Sequence, residues 1–241
     1  MFLHPQTDAG NDTKELVSLL PLLEARVFAY DLLRRTFLQE PVQDFLVRLS
    51  QNELAMAFPF QEENEDIAQG VQKLATYLKQ CSAEGLAQTE YEKLHWEYTR
   101  LFIGPYEVAA PPWESVYLNK DKLLFQQETR LVRLAYLKYS FLPLLYQQEA
   151  DDHIGLECDF MYQLAALAYE KAGANNREAL QEVIQDQADF LAEHLLLWVP
   201  AFAEKVTAHA TTVFYQGAVQ VLSGFLAVDA LILQELLASK Q

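Results

Sequence analysis

The stretch LLPLLEARVFAYDLLRRTFLQ, residues 19–39, decides the fold class of this chain. Its large apolar residues recur at the spacing of an α-helix, about 3.6 residues per turn: Leu22, Leu23, Val27, Tyr30, Leu33 and Phe37. The pattern predicts one amphipathic helix, and Pro41 ends it because proline cannot donate a backbone hydrogen bond.

The same helical period continues through the rest of the chain. It predicts further helices at Val42–Ser50, Glu62–Gln80, Gln88–Ile103, Asp121–Tyr139, Asp151–Lys171, Asn176–Val199, Ala201–Phe214 and Tyr215–Ser239. Two-residue alternation and Asn-Gly or Asp-Gly turn signals, which indicate β-hairpins, are absent from the sequence. We therefore expect an all-α protein, a single globular bundle of about nine to ten helices.

Composition sets limits on partners. The 241 residues include 34 Asp and Glu against 18 Lys and Arg, a formal net charge of −16. So large an excess of acid argues against binding to nucleic acid or to an anionic membrane surface. Hydrophobic residues make up 51% of the chain, enough for a substantial core. We expect a flexible segment over residues 1–15 and one helical domain over residues 16–241.

The sequence also indicates where the protein resides. Its two cysteines, Cys81 and Cys158, form no Cys-x-x-Cys motif, and the N-terminus lacks the basic-then-apolar pattern of a secretory signal. The most apolar run, Ala218–Leu233, is interrupted by polar residues and is shorter than the roughly 20 residues of a membrane span. The prediction is a soluble, cytoplasmic protein without stable membrane insertion.

Two segments depart from the helical pattern. Gly104–Tyr117 is rich in proline, so it is expected to be stiff, extended and not helical. It also carries aromatic rings, including Trp113, beside an apolar helix. Such a loop is typical of a groove that binds a peptide, and an acidic protein suits a peptide that is basic at one end and apolar beyond it.

The second exception is Gln147–Gly155, where Asp151 or Asp152 is placed to cap the following helix. Alternatively, Asp152 and His153 form the polar edge of a pocket. A metal site is a further alternative, because His153 and Glu157 are four residues apart on one helix. No nucleophile motif and no glycine-rich phosphate loop occurs in the sequence, so nothing in it requires an enzyme.

Three ordered blocks carry a family resemblance. YTRLFIGP at 98–105, APPWESVY at 110–117 and EADDHIG at 149–155 resemble the signature blocks of the TorD/DmsD family, the NarJ-related redox-enzyme maturation chaperones. The resemblance extends from about residue 16 to the last helix. It implies an all-helical TorD-like chaperone domain, either a monomer or a domain-swapped homodimer.

The resemblance also implies a function. Family members bind the twin-arginine leader peptide of a molybdenum-cofactor oxidoreductase subunit, such as a dimethyl sulfoxide or trimethylamine N-oxide reductase. They assist its maturation and delay its export until the cofactor is inserted. The chaperone itself is expected to need no cofactor or metal and to catalyse nothing. The implied peptide-binding residues are Tyr98, Leu101, Phe102, Tyr106, Pro112, Trp113, Glu114, Ser115, Tyr117, Asp152 and His153.

Within that set, the rings and prolines are expected to contact the apolar stretch of the leader, and Asp152 with nearby acids its arginines. Two positions depart from the family pattern. Ala150 stands where proline is common, and Glu114 where glycine is common. The competing hypothesis is a helical metal-dependent enzyme centred on Glu149, Asp152, His153 and Glu157.

Overall fold

The computed structural model describes residues 9–51, 54–82, 85–105, 107–121, 123–143, 146 and 148–238. Within these ranges the chain is all-α, as predicted, apart from a two-residue hairpin of β1 (Cys81–Ser82) and β2 (Gly85–Leu86). Its helices are α1 (Ala9–Phe37), α2 (Gln43–Gln51), α3 (Glu65–Leu78), α4 (Gln88–Tyr98), α5 (Glu114–Leu118), α6 (Gln127–Lys138), α7 (Ile154–Gly173), α8 (Arg177–Phe190), α9 (Leu196–His209) and α10 (Val213–Ala238).

The core forms where α1 packs along α7 and α3 packs along α10, with α8 against both α7 and α10. Close approach of α3 and α10 depends on Gly70 and Gly217. A Cβ added to either glycine would lie 2.7 Å from the backbone oxygen of the other, closer than van der Waals contact allows. The two helices therefore touch through their backbones, which leaves large side chains on either side to fill the core.

A buried ion pair joins three of these helices. Arg26 on α1 donates to both carboxylate oxygens of Asp229 on α10, at 2.5 and 3.0 Å, and both side chains are fully buried. Gln187 on α8 accepts a further hydrogen bond from Arg26 at 2.6 Å, and Tyr30 donates to Asp229 at 2.7 Å. We call these four residues the Arg26 network.

Several predicted helix boundaries shift. Residues 9–15, expected to be flexible, already belong to α1, while residues 1–8 lie outside the described residues. The segment expected to be entirely extended contains the short helix α5. The helix predicted to start at Asp121 starts at Gln127.

Pro200 does not separate two helices as predicted. Residues 177–209 form one continuous helical run, in which a π turn at Leu191–Leu195 joins α8 to α9, and the break comes at residues 210–212. Pro200 therefore lies inside α9, one turn beyond the π turn. A second π turn, Thr99–Ile103, extends α4 up to Gly104.

Helix α10 has the length and composition of a membrane span. Its most apolar window of 18 residues has a mean hydropathy of 1.8, so the expectation that the run is too short was wrong on this point. In the fold, however, 44% of that window is buried, and the helix carries Asp229 into the Arg26 network. These contacts are typical of the central helix of a globular bundle.

Candidate functional site

Two of the signature blocks cross each other in the fold. The backbone N–H of Glu114 donates to the carbonyl of Asp152 at 3.0 Å, and that of Ile154 donates to the carbonyl of Pro112 at 2.8 Å. The Asp152 side chain adds a third link, because its Oδ2 accepts from the Ser115 N–H at 2.9 Å. We call this junction of 112–115 with 152–154 the crossing.

Trp113 and His153 face each other at the crossing. Their ring centroids lie 6.0 Å apart in an edge-to-face arrangement, and the Trp113 indole N–H donates to Glu149 at 2.7 Å. His153 Nδ1 accepts from the Gly155 N–H at 3.0 Å, which caps α7. Burial lowers the pKa of His153 to about 3, so its imidazole is neutral at physiological pH.

Buried carboxylates lie beneath the crossing. Glu114 is bonded to His194 Nδ1 at 3.0 Å, and Glu157 accepts from the Trp198 indole N–H at 3.2 Å. Burial, then the charges of Glu114 and Asp152, raise the pKa of Glu157 well above its ordinary value. We call Glu114, Asp152, Glu157 and His194 the carboxylate cluster.

His194 and Trp198 were not among the predicted site residues. His194 lies in the π turn and Trp198 lies four residues later, in α9. Each directs a ring nitrogen towards a carboxylate. Their spacing on one helix face is visible in the sequence, but their partners come from α5 and α7. Only the packing of three elements brings these groups together.

The helix cap differs from the prediction. His153 caps α7, whereas Asp151 and Asp152 were the predicted capping residues. Asp151 is held instead by an ion pair with Arg133 from α6, and its carbonyl accepts from the Tyr136 hydroxyl at 2.9 Å. Because both aspartates are engaged by other segments, the next polar side chain supplies the cap.

Most of the predicted peptide-binding residues are buried. Tyr98, Leu101 and Phe102 lie in the core, where Tyr98 donates its hydroxyl to the Phe37 carbonyl at 3.0 Å. The Phe102 ring packs against Phe37, at 6.2 Å between centroids. These three residues therefore pack in the core and do not face solvent. Also buried are Pro112, Glu114, Ser115, Asp152 and His153.

Two of the predicted residues remain partly exposed, Trp113 and Tyr117. The Tyr117 ring packs on Trp198 at 5.4 Å and lies beneath the ammonium of Lys205 at 5.1 Å. Burial raises the pKa of the Tyr117 hydroxyl. Tyr106 lies outside the described residues.

The described part of the chain contains no group of three His, Cys, Asp or Glu side chains arranged to hold a metal ion. The four residues of the metal hypothesis have separate partners. Glu149 bonds to Trp113, Asp152 to the Ser115 backbone, and Glu157 to Trp198. His153 uses its Nδ1 for the helix cap. No observation favours the metal-dependent enzyme.

Comparison with known proteins agrees with the resemblance. Residues 61–204 match the family described as the nitrate reductase delta subunit. The chaperone protein TorD of Aliivibrio salmonicida is 25% identical over 206 residues, covering 86% of this chain and 93% of that protein. The Tat proofreading chaperone DmsD of Salmonella typhi is 32% identical over 149 residues, 62% of each chain.

Among solved structures, a redox enzyme maturation protein from Archaeoglobus fulgidus aligns over 97% of this chain and 99% of its own, at 18% identity and a TM-score of 0.45. The family match covers more than half of this chain, and the curated relatives are chaperones. The chain therefore belongs to the nitrate reductase delta subunit family, alongside the TorD and DmsD maturation chaperones, which are not enzymes.

Proposed function

We propose that this chaperone binds the twin-arginine leader peptide of a molybdenum-cofactor oxidoreductase subunit in the cytoplasm. Binding would hold the client, a dimethyl sulfoxide or trimethylamine N-oxide reductase-like enzyme, until its cofactor is inserted, and so delay its export. The relatives support this proposal, since one of them is named a Tat proofreading chaperone. The domain-swapped dimer stays a prediction beside the monomer.

The observation that carries the proposal is the presentation of Trp113. Its backbone bridges to His153, its indole N–H is fixed by Glu149, and its ring remains partly exposed. A rigid, half-exposed aromatic ring is a favourable anchor for an apolar peptide segment. The buried residues around it have a positioning role, because they hold Trp113 in place without reaching solvent.

Net charge supports the same partner. A protein with a formal charge of −16 attracts a basic peptide over a distance, and this attraction weakens as salt screens it. Leader binding should therefore become weaker as ionic strength rises. A salt-independent affinity would speak against arginine recognition.

Titration of the full chain with a labelled leader peptide, and with the same peptide carrying Ala-Ala for Arg-Arg, tests the proposal. We expect the native leader to bind more tightly. Equal binding of both peptides, or binding of neither, would overturn the proposal.

The Trp113→Ala variant tests the anchor. The substitution should weaken binding of the native leader about tenfold, which is the loss of affinity expected for one buried aromatic contact. Helical content by circular dichroism should stay unchanged. Trp96→Ala is the matched control, because Trp96 is a tryptophan on α4 that is 65% exposed and is not part of the crossing. Equal losses in the two variants would remove Trp113 from the site.

A further inference from the structure

A groove lies between α6 and the continuous helical segment formed by α8 and the π turn that follows it. Its volume is about 250 Å³, and its apolar surface comes from Leu131, Ala135, Phe160 and Phe190. His194 also lines the groove, and the same side chain is bonded to Glu114 at the crossing. The groove therefore adjoins the site at which Trp113 is held.

Helix α6 presents a second apolar face towards solvent. Its inner face buries Thr129, Val132 and Tyr136. Its outer face exposes three leucines at intervals of three residues, with 45%, 52% and 62% of their surface accessible: Leu131, Leu134 and Leu137. One of the three, Leu131, also forms the rim of the groove. An exposed leucine stripe of this kind is typical of a protein-binding surface.

Carboxylates form the opposite wall. Five acidic residues lie along α8 and the π turn that follows it, at intervals of four, four, three and four residues. This spacing places them on one side of the helix: Glu178, Glu182, Asp186, Asp189 and Glu193. We call them the acidic ridge. The last three line the groove.

The acidic ridge is partly neutralised. Lys138 from α6 forms ion pairs with Glu182 at 3.3 Å and with Asp186 at 2.5 Å. Beyond it, Asp189 and Glu193 have exposed side chains four residues apart. These two carboxylates face the same groove as the leucine rim, so an apolar surface and accessible negative charge occur side by side.

Asp152 offers no comparable contact. It is fully buried, and one of its oxygens accepts from the Ser115 backbone, so a guanidinium in solvent cannot reach it. We propose that the paired arginines of the leader instead bind Asp189 and Glu193, with the apolar residues beside them packing on Leu131 and Leu134. This inference rests on the proposed function and specifies where the charged part of that ligand lies.

A comparison of two protein variants with two peptides tests the assignment. The Asp189→Asn/Glu193→Gln chain and the unmodified chain are each titrated with the native leader and with its Ala-Ala form. The unmodified chain should prefer the native leader about tenfold, as charge-assisted hydrogen bonds predict. In the variant this preference should fall to about twofold or less, while affinity for the Ala-Ala peptide stays unchanged.

The control is Glu62→Gln/Glu63→Gln, which makes the same change in net charge at two exposed residues that do not line the groove. It should keep the full arginine preference. If the groove variant also keeps it, the groove assignment is overturned while leader binding stands. If the unmodified chain shows no arginine preference, the proposed function fails and this assignment with it.

Discussion

The Arg26 network and the carboxylate cluster are both buried, but their charge is balanced in different ways. In the network, burial alone would lower the pKa of Arg26, and the carboxylate of Asp229 outweighs it and holds the pKa above its ordinary value. The carboxylate cluster contains no lysine or arginine, and burial together with the charges of Glu114 and Asp152 raises the pKa of Glu157 well above its ordinary value. In the network a cation is paired with a carboxylate, whereas in the cluster neighbouring carboxylates favour the protonated form of Glu157.

This difference predicts different sensitivities. The Arg26 network links three helices through hydrogen bonds, because Arg26 on α1 donates to Asp229 on α10 and to Gln187 on α8. Groups whose pKa is moved by burial exchange protons with solvent when the protein unfolds. Stability should therefore depend on pH through His153 and Glu157, whose pKa values burial moves in opposite directions.

The largest effect is expected from Asp229→Ala. It leaves Arg26 buried without its counter-ion, which should lower the free energy of unfolding by about 3–5 kcal/mol. Urea unfolding monitored by circular dichroism measures the loss. The double variant Arg26→Met/Asp229→Leu should lose less than the single one, because it removes both charges. If Asp229→Ala lowers the free energy of unfolding by less than about 1 kcal/mol, the network does not stabilise the packing of these helices.

The next effect is the acid dependence set by His153. Its folded pKa of about 3 lies below the ordinary 6.5, so between these values the unfolded chain binds a proton that the folded chain does not. The contribution of His153 to the free energy of unfolding is therefore fully present above pH 6.5 and is lost as the pH drops towards 3, by about a few kcal/mol in total.

The His153→Asn variant tests this dependence. Asparagine can still cap α7 but does not titrate, so the loss of stability between pH 6.5 and 3 should become smaller. Unfolding midpoints measured at several pH values give the slope. An unchanged slope would mean that other groups cause the acid dependence.

The smallest effect is expected from Glu157→Gln. Because the folded pKa of Glu157 is raised, the folded chain keeps a proton that the unfolded chain loses above about pH 4.5, and stability declines as the pH rises from there towards the folded pKa. Glutamine resembles the protonated acid. The variant should be within about 1 kcal/mol of the unmodified protein at pH 7 and should lack that decline. A loss of several kcal/mol at pH 7 would indicate a charged Glu157.

The sequence predicted the fold class and most helices, since apolar periodicity is a local property that α2 and α3 display clearly. It mispredicted Pro200 as a helix boundary, because a proline is usually a local breaking signal, whereas here the helix continues through it. The sequence predicted which residues belong to the site, but not which of them are exposed to solvent. Tyr98 and Phe102 match the signature blocks, yet whether a ring faces solvent is decided by residues such as Phe37, far away in sequence.

The acidic ridge illustrates the opposite case. Its spacing is fully visible in the sequence, but an acidic helix face is most often simply solvated. The acidic ridge indicates a binding surface only because the exposed leucines of α6 lie on the opposite side of the groove. The sequence predicted Asp152 with nearby acids as the partners of the arginines, because burial of a carboxylate cannot be read from a motif.

The π turn at Leu191–Leu195 makes the length of this segment matter more than its composition. A π turn holds one residue more than an α turn, and each residue added to a helix rotates the rest of that helix by about 100°. Deleting one residue here would restore a regular helix and turn the acidic ridge away from its present relation to Trp198 and α9. Substitutions in this segment should thus be tolerated more readily than single-residue insertions or deletions, and related chains that keep the groove should keep its residue count.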